Sequence, residues 1–134
     1  MSTPPQVLPH RDAVVAALEG VGLTVGLGEA PDPPPAGGLY AVLFMSPGQV
    51  LTESLADQRT NMQVMFQVTC VGPDEERCLW VVDRVHQALH PVLTVAGRKA
   101  FRAEELGGPP MLRDDDVTPP LMYLPIQFML RSTS

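Results

Sequence analysis

The stretch TNMQVMFQVTCVG, residues 60–72, decides the fold because two kinds of side chain alternate along it. In a β-strand, every second side chain lies on the same face. One face is wholly apolar and consists of Met62, Val64, Phe66, Val68 and Cys70. The other face carries Gln63, Met65, Gln67 and Thr69. We expect the first face to lie in the core. The mixed second face is typical of a surface that meets another protein or is dry only part of the time.

The segment PDEERCLWVVDRVHQALHP, residues 73–91, predicts a helix directly after this strand. A proline suits the first turn, the acidic residues that follow it complement the positive end of the helix dipole, and Pro91 ends the helix. Spacings of three and four residues predict one buried stripe, made of Cys78, Leu79, Val82, Val85, His86 and Leu89. The short connection predicts that this stripe packs on the apolar face of the preceding strand.

The final segment, LMYLPIQFMLRS, residues 121–132, repeats the alternation of the opening stretch. Its apolar side consists of Met122, Leu124, Ile126, Phe128 and Leu130. Its mixed side consists of Tyr123, Pro125, Gln127, Met129 and Arg131. Because Pro125 has no amide hydrogen to donate, we expect at least one edge-like position in this strand.

The other segments predict a further helix, more strands and two long loops. LYAVLFMS, residues 39–46, is apolar on both faces, which is typical of a central strand. Residues 47–59 fit either a long hairpin connection or a ragged strand pair. We also predict a helix over about residues 9–19, a strand over 21–27, a hairpin through Phe101 over 92–101, and loops over 29–38 and 107–120.

Together these segments predict an α+β fold in a single domain spanning residues 1–134. We expect a mainly antiparallel sheet of about four to six strands, with two helices packed on one face.

Composition excludes several classes of function. The net charge is −6, from 9 basic and 15 acidic residues, and this disfavours nucleic-acid binding, which needs clustered Lys and Arg. The two cysteines lack metal-site spacing and are expected to be buried, reduced thiols. We find no signal peptide and no apolar run of the roughly 20 residues that cross a bilayer. We therefore expect a soluble, intracellular protein without a membrane partner.

No group of residues predicts catalysis, a cofactor or a metal. HQALH, residues 86–90, spaces two histidines as in a helical metal pair but lacks the glutamate base of H-E-x-x-H. GVGLTV, residues 20–25, follows a helix and ends in valine, unlike a dinucleotide fingerprint. The run Asp114, Asp115 and Asp116 lacks the ligand spacing of a calcium loop and suits a solvated loop tip. We expect a protein that acts through a surface and is not an enzyme.

The block RTNMQVMFQVTCVGPDEERCLWVVDRVHQAL, residues 59–89, resembles the middle of the small tail terminator proteins of long-tailed bacteriophages, including the lambda-type terminators. The order of predicted elements is also similar over nearly the whole chain. This resemblance implies a ring, usually of six copies, at the head-proximal end of the tail tube. Such a ring stops tube polymerisation and presents a surface to the head connector. Its implied location is the neck end of the virion tail, after assembly in the host cytoplasm.

The resemblance also implies partners for the mixed face. A neighbouring copy or the tail tube protein would cover Gln63, Met65, Gln67, Tyr123, Gln127 and Met129. DNA would pass through the ring without specific binding, so we expect the loop with Asp114, Asp115 and Asp116 to face the channel or the tube. One alternative is another neck component, namely a head-closure or tail-completion protein. A more distant alternative is a small ligand-binding module that uses a pocket between helix 73–90 and the sheet.

Overall fold

A computed structural model describes residues 4–51 and 61–134. Its two helices are α1 (Val7–Gly20) and α2 (Glu75–Leu89). Its strands are β1 (Val25–Leu27), β2 (Tyr40–Met45), β3 (Gln49–Leu51), β4 (Asn61–Gly72), β5 (Lys99–Ala100), β6 (Glu104–Gly107), β7 (Leu112–Asp114) and β8 (Leu121–Thr133).

The strands form one sheet around the long antiparallel pair of β4 and β8. The other edge of β4 pairs with β2 along one part of its length and with β3 along another part. Along the other edge of β8, the short strands β5, β6 and β7 follow one another. β1 lies beside β2 and runs parallel to it, whereas every other described pair is antiparallel.

The prediction of four to six mainly antiparallel strands is therefore wrong, because the described residues form eight strands in a mixed sheet. Two interruptions raise the number of strands. Residues 46–48, Ser-Pro-Gly, separate β2 from β3, and residues 108–111, Gly-Pro-Pro-Met, separate β6 from β7. The sequence did not predict the parallel pair for two reasons. β1 has only three residues, and the long loop after it allows the next strand to run in either direction.

The strands β5, β6 and β7 lie end to end along one edge of β8 and are here called the outer lane. Pro125 of β8 lies at a gap in this lane, between the residues that pair with β6 and those that pair with β7. The amide of Phe101 donates to the carbonyl of Arg131, so the odd-numbered residues of β8 direct their backbone groups toward that lane. Pro125 belongs to this odd-numbered set, and its missing amide hydrogen faces the gap. The edge-like position predicted for this strand is present there.

The core lies between the sheet and the two helices. The apolar face of β4, predicted from the opening stretch, is fully buried: Met62, Val64, Phe66, Val68 and Cys70. The ring of Phe66 stacks on that of Phe128, with 5.4 Å between centroids. The helices supply Ala13, Val14, Leu18, Cys78, Val81, Val82, Val85, Ala88 and Leu89.

The start of α2 is fixed by two local features. The side chain of Asp74 accepts a hydrogen bond of 2.8 Å from the amide of Arg77, which caps the first turn. Gly72 permits the close approach of helix and strand, because a Cβ atom there would lie 2.6 Å from the amide nitrogen of Cys78. The thiol of Cys78 then donates to the carbonyl of Cys70 across 3.4 Å.

Several local predictions need correction. The stripe of α2 includes Val81 and Ala88, whereas Leu79 and His86 are exposed. The predicted hairpin over 92–101 is absent: only Lys99–Ala100 is a strand, and it pairs with β8. The predicted loop over 107–120 contains β7, and the strand predicted over 21–27 is reduced to Val25–Leu27. Residues 52–59 of the segment predicted as a hairpin connection or strand pair, and Thr60 at the start of the opening stretch, lie outside the described residues.

A buried polar group ties α1 to the end of β8. The imidazole of His10, which is fully buried, contacts the carbonyl of Gln6 through Nδ1 and the hydroxyl of Ser132 through Nε2, both at 2.7 Å. Nε of Arg98 also donates to that hydroxyl, at 2.7 Å. Burial lowers the pKa of His10, and the nearby Arg98 charge lowers it further, against an opposing effect of the Gln6 carbonyl. We infer a neutral imidazole that donates from Nδ1 and accepts from Ser132.

Candidate functional site

The face of the sheet turned away from the helices, here called the outer face, is organised in cross-strand rows. Residues paired across antiparallel strands share a face. The central rows are Phe44, Gln67, Gln127 and Gly107, then Met65, Met129 and Glu104. One end of the face carries the row Tyr40, Val71, Tyr123 and Leu112, and the other end carries Gln49, Gln63 and Arg131.

The structure brings together the residues predicted for an interface. Gln63, Met65, Gln67, Tyr123, Gln127 and Met129 all lie on the outer face. Most of them are half-buried within the sheet surface, whereas Met65 is 41% exposed. Their contact with a partner stays a prediction.

The central glutamines of the outer face hydrogen-bond to each other. Nε2 of Gln127 donates to Oε1 of Gln67 across 2.7 Å, and Nε2 of Gln67 donates to the hydroxyl of Thr69 across 3.0 Å. A buried amide without a partner costs about 1–3 kcal/mol. Because these amides are already partly satisfied inside the chain, a partner could cover them at lower cost.

Apolar side chains flank the glutamines on the outer face. Phe44, which pairs with Gln67, is 42% exposed. Met65, in the next row of the same face, is 41% exposed. Methionine and aromatic side chains are enriched in protein interfaces, while lysine and glutamate are depleted there. Apart from Glu104, at the β6 end of the second central row, the middle of the outer face thus has the composition of an interface core.

One end of the outer face is apolar and bordered by acid. Tyr40, Val42 and Val71 form a small buried cluster, against which Leu121 and Tyr123 pack. Burial raises the pKa of the Tyr40 hydroxyl, and the nearby charge of Asp114 raises it further. The first residue of the predicted acidic run, Asp114, therefore lies close to Tyr40 at this end of the outer face.

The acidic loop follows β7 directly. Asp114 pairs with Leu121 across the sheet, and its carboxylate accepts a hydrogen bond of 3.0 Å from the amide of Asp116. Nε of Arg113 donates to Asp115 across 2.6 Å. Asp115 and Asp116 are exposed. The solvated loop tip expected from the sequence is therefore present, and its contact with a channel or tube stays a prediction.

The opposite end of the outer face opens into a cleft of about 680 Å³. Phe101 and Met129 supply apolar lining, and Arg102 and Arg131 supply positive charge. Glu104 also lines it. Sequence patterns missed this cleft, because it depends on how residues 99–104 pair with the end of β8. Phe44 was likewise missed, since its own segment is apolar on both faces.

Metal ligands and reactive thiols were sought among the described residues. In residues 4–51 and 61–134, no three His, Cys, Asp or Glu side chains are placed to hold a metal ion. Burial raises the pKa of the Cys70 thiol to about 12 and that of Cys78 to about 11, which opposes formation of a reactive thiolate. No helix of the described part is long and apolar enough to span a membrane.

A second cavity, of about 220 Å³, lies between the end of α2 and β6. His86, His90, Arg102 and Glu105 line it, and Nε2 of His86 lies 3.2 Å from Oε1 of Glu105. Ligand pockets usually measure about 300–1,000 Å³. This cavity lies where a ligand-binding module would have its pocket between α2 and the sheet, and it is smaller than that range.

No protein-family model matches the sequence, and no curated protein matches it significantly. Eleven chains of solved structures match the fold. One belongs to the virion of a native gene transfer agent particle: it is 18% identical, with a TM-score of 0.55 over 93% of this chain and 88% of that chain. Another, whose name states no function, is 20% identical, with a TM-score of 0.50 over 91% and 94% of the two chains. At these identities the likeness concerns the fold, so this chain has a fold found in a virion component.

Proposed function

We propose that the protein is a structural component of a phage-like virion and not an enzyme. Two findings support this proposal: the fold shared with a chain of a gene transfer agent virion, and the composition of the outer face. More specifically, we propose a tail terminator. It would occupy the head-proximal end of the tail tube, stop tube polymerisation and form the head–tail joining surface.

The outer face carries the argument for assembly. Phe44 and Met65 are exposed one row apart on the outer face, beside the half-buried Met129, and exposed apolar side chains that lie together mark candidate interaction sites. Because Gln67 and Gln127 hydrogen-bond to each other, a partner can bury this surface without leaving both amides unsatisfied. A subunit is synthesised before it is assembled, so its interface must be stable both in contact with water and when buried by a partner.

The sheet edges favour contact through a face over contact by strand addition. β1 has three residues, and the lane of β5, β6 and β7 is broken by glycine and proline. Short and interrupted edges are poor templates for a further strand. Partners would therefore dock on side chains of the outer face.

The proposed partners follow from this role. Other copies of the chain, usually six in a ring, would meet the tail tube protein on one side and the head connector on the other. DNA would pass through without specific binding, and the net charge of −6 supports passage over capture. The protein would lie at the neck end of the virion tail after assembly in the host cytoplasm.

Another neck component, either a head-closure or a tail-completion protein, would use the same kind of surface. The two roles differ in what happens to the tails when the protein is missing. Electron microscopy of particles from the parent phage or prophage, with this gene deleted, separates them. Headless tails of uncontrolled length support tail termination. Tails of normal length beside filled, unattached heads assign the protein to the connector, and intact infectious particles contradict both roles.

A further inference from the structure

The two ends of the outer face carry opposite charge. At one end, Asp114, Asp115 and Asp116 outnumber Arg113. At the other end, counted over residues 4–51 and 61–134, Lys99, Arg102 and Arg131 outnumber Glu104. Asp114 pairs with the first residue of β8 and Lys99 with its last. A strand rises roughly 3.3 Å per residue, so the two ends are about 40 Å apart.

Two arginines of the basic end have no ion-pair partner among the residues that the structure describes. Within the described part of the chain, neither Arg102 nor Arg131 forms an ion pair with a carboxylate. Both line the 680 Å³ cleft, whose apolar lining includes Phe101, which is 51% exposed. The cleft is therefore suited to an acidic segment that also carries an apolar side chain.

The acidic loop is such a segment. Asp116 is exposed, and Val117 beside it is 39% exposed. Asp115 is partly neutralised by Arg113, whereas the Asp116 carboxylate has no ion pair within the described residues. An exposed valine next to an exposed carboxylate matches an apolar cleft rimmed by arginine.

We propose that the cleft receives the acidic loop of a second copy of this chain, so that copies join head to tail. The inference rests on the proposed ring and names the contact that closes it. A loop cannot reach a cleft about 40 Å away on its own chain, whereas the next copy can present one. Two different patches on each subunit are what a heterologous, ring-forming interface requires. The loop tip then contacts a neighbouring subunit in place of the DNA channel.

Charge reversal at the two patches tests this contact. Arg131→Glu and Asp116→Lys each change one exposed side chain, so both variants should fold. Alone, each sets like charges against each other at every contact, and we expect self-association at least about tenfold weaker than that of wild type. In an equal mixture, every contact between unlike variants is again opposite in charge, so the mixture should assemble like wild type. Asp83→Lys, an exposed change on α2, is the matched control.

Analytical ultracentrifugation over a concentration series reads out the result, with circular dichroism to confirm folding. The head-to-tail contact is supported if neither variant self-associates alone and the mixture of the two does. Variants that assemble alone, or a mixture that stays dissociated while wild type assembles, overturn it without touching the virion role. A wild-type chain that is monomeric at every concentration also overturns it, since the contact needs no other partner. The deletion phenotype judges the proposed function separately.

Discussion

Phe66 and Phe44 lie on opposite faces of the sheet, and their replacement by alanine should separate folding from assembly. Phe66 is 2% exposed and stacks on Phe128, whereas Phe44 is 42% exposed beside Gln67. Phe66→Ala removes a ring from the closed core. Phe44→Ala removes a ring of the same size from an open surface.

The expected magnitudes follow from these surroundings. A buried phenylalanine replaced by alanine costs about 3–5 kcal/mol, because the lost transfer energy is joined by a cavity. The stacked ring at 5.4 Å places Phe66 toward the upper part of that range. Phe44 is only partly buried and its loss leaves no closed cavity, so we expect a cost of about 1–2 kcal/mol.

Urea unfolding followed by far-ultraviolet circular dichroism measures both free energies of unfolding. We expect Phe66→Ala to be the less stable variant by at least about 2 kcal/mol, and Phe44→Ala to weaken association while the monomer stays folded. Equal destabilisation by the two changes would refute the assignment of the faces. A Phe44→Ala chain that assembles like wild type would refute the role of Phe44 in association.

Three further predictions concern buried groups. Gly72→Ala should destabilise the fold by about 1–3 kcal/mol, because its Cβ would meet the amide nitrogen of Cys78 at 2.6 Å; thermal melting against Gly20→Ala, where nothing lies within 4 Å, measures this. Cys70 and Cys78 should resist a thiol reagent at pH 8 until denaturant is added, since burial raises both pKa values, to about 12 and about 11; rapid labelling of the folded chain would contradict their burial. The pKa of His10 lies below its ordinary value of 6.5, so the unfolded chain binds the proton first. Its contribution to stability should be complete above pH 6.5 and fall as the pH drops through the folded pKa, and subtracting the profile of His10→Gln isolates it.

The sequence predicts those parts of the fold in which one period runs through a whole element. The alternation over residues 60–72 assigns both faces of β4 correctly, and the same alternation does so for β8. The helix predicted from Pro73 onward is α2, whose start depends on a local cap at Asp74. These features are local, so they can be read without knowing the neighbours.

Other features depend on contacts that local patterns do not record. Leu93 and Val95 alternate like a strand but are buried as an irregular segment, so the predicted hairpin does not form. Trp80, which a helix of this kind would more often use for packing, lies off the buried stripe of α2: it is 42% exposed, and its ring contacts the guanidinium of Arg84.

The register of β8 with its short neighbours was also beyond local patterns. Six residues of the outer face could be named from alternation alone. Phe44 could not, because residues 39–46 are apolar on both faces and give no sign of which face stays open. The basic cleft could not be named either, because Arg102 and Arg131 meet only through the pairing of β5 and β6 with β8.

The most direct test of an assembly role for the outer face is complementation of a phage or prophage that lacks this gene. Met65→Glu places a charge in the middle of the outer face at a side chain that is 41% exposed. Leu79→Glu is its matched control on α2, where the side chain is 42% exposed. Electron microscopy should show finished, infectious particles with wild type and with Leu79→Glu, and headless tails of uncontrolled length with Met65→Glu. Normal particles from the Met65→Glu chain would contradict the account.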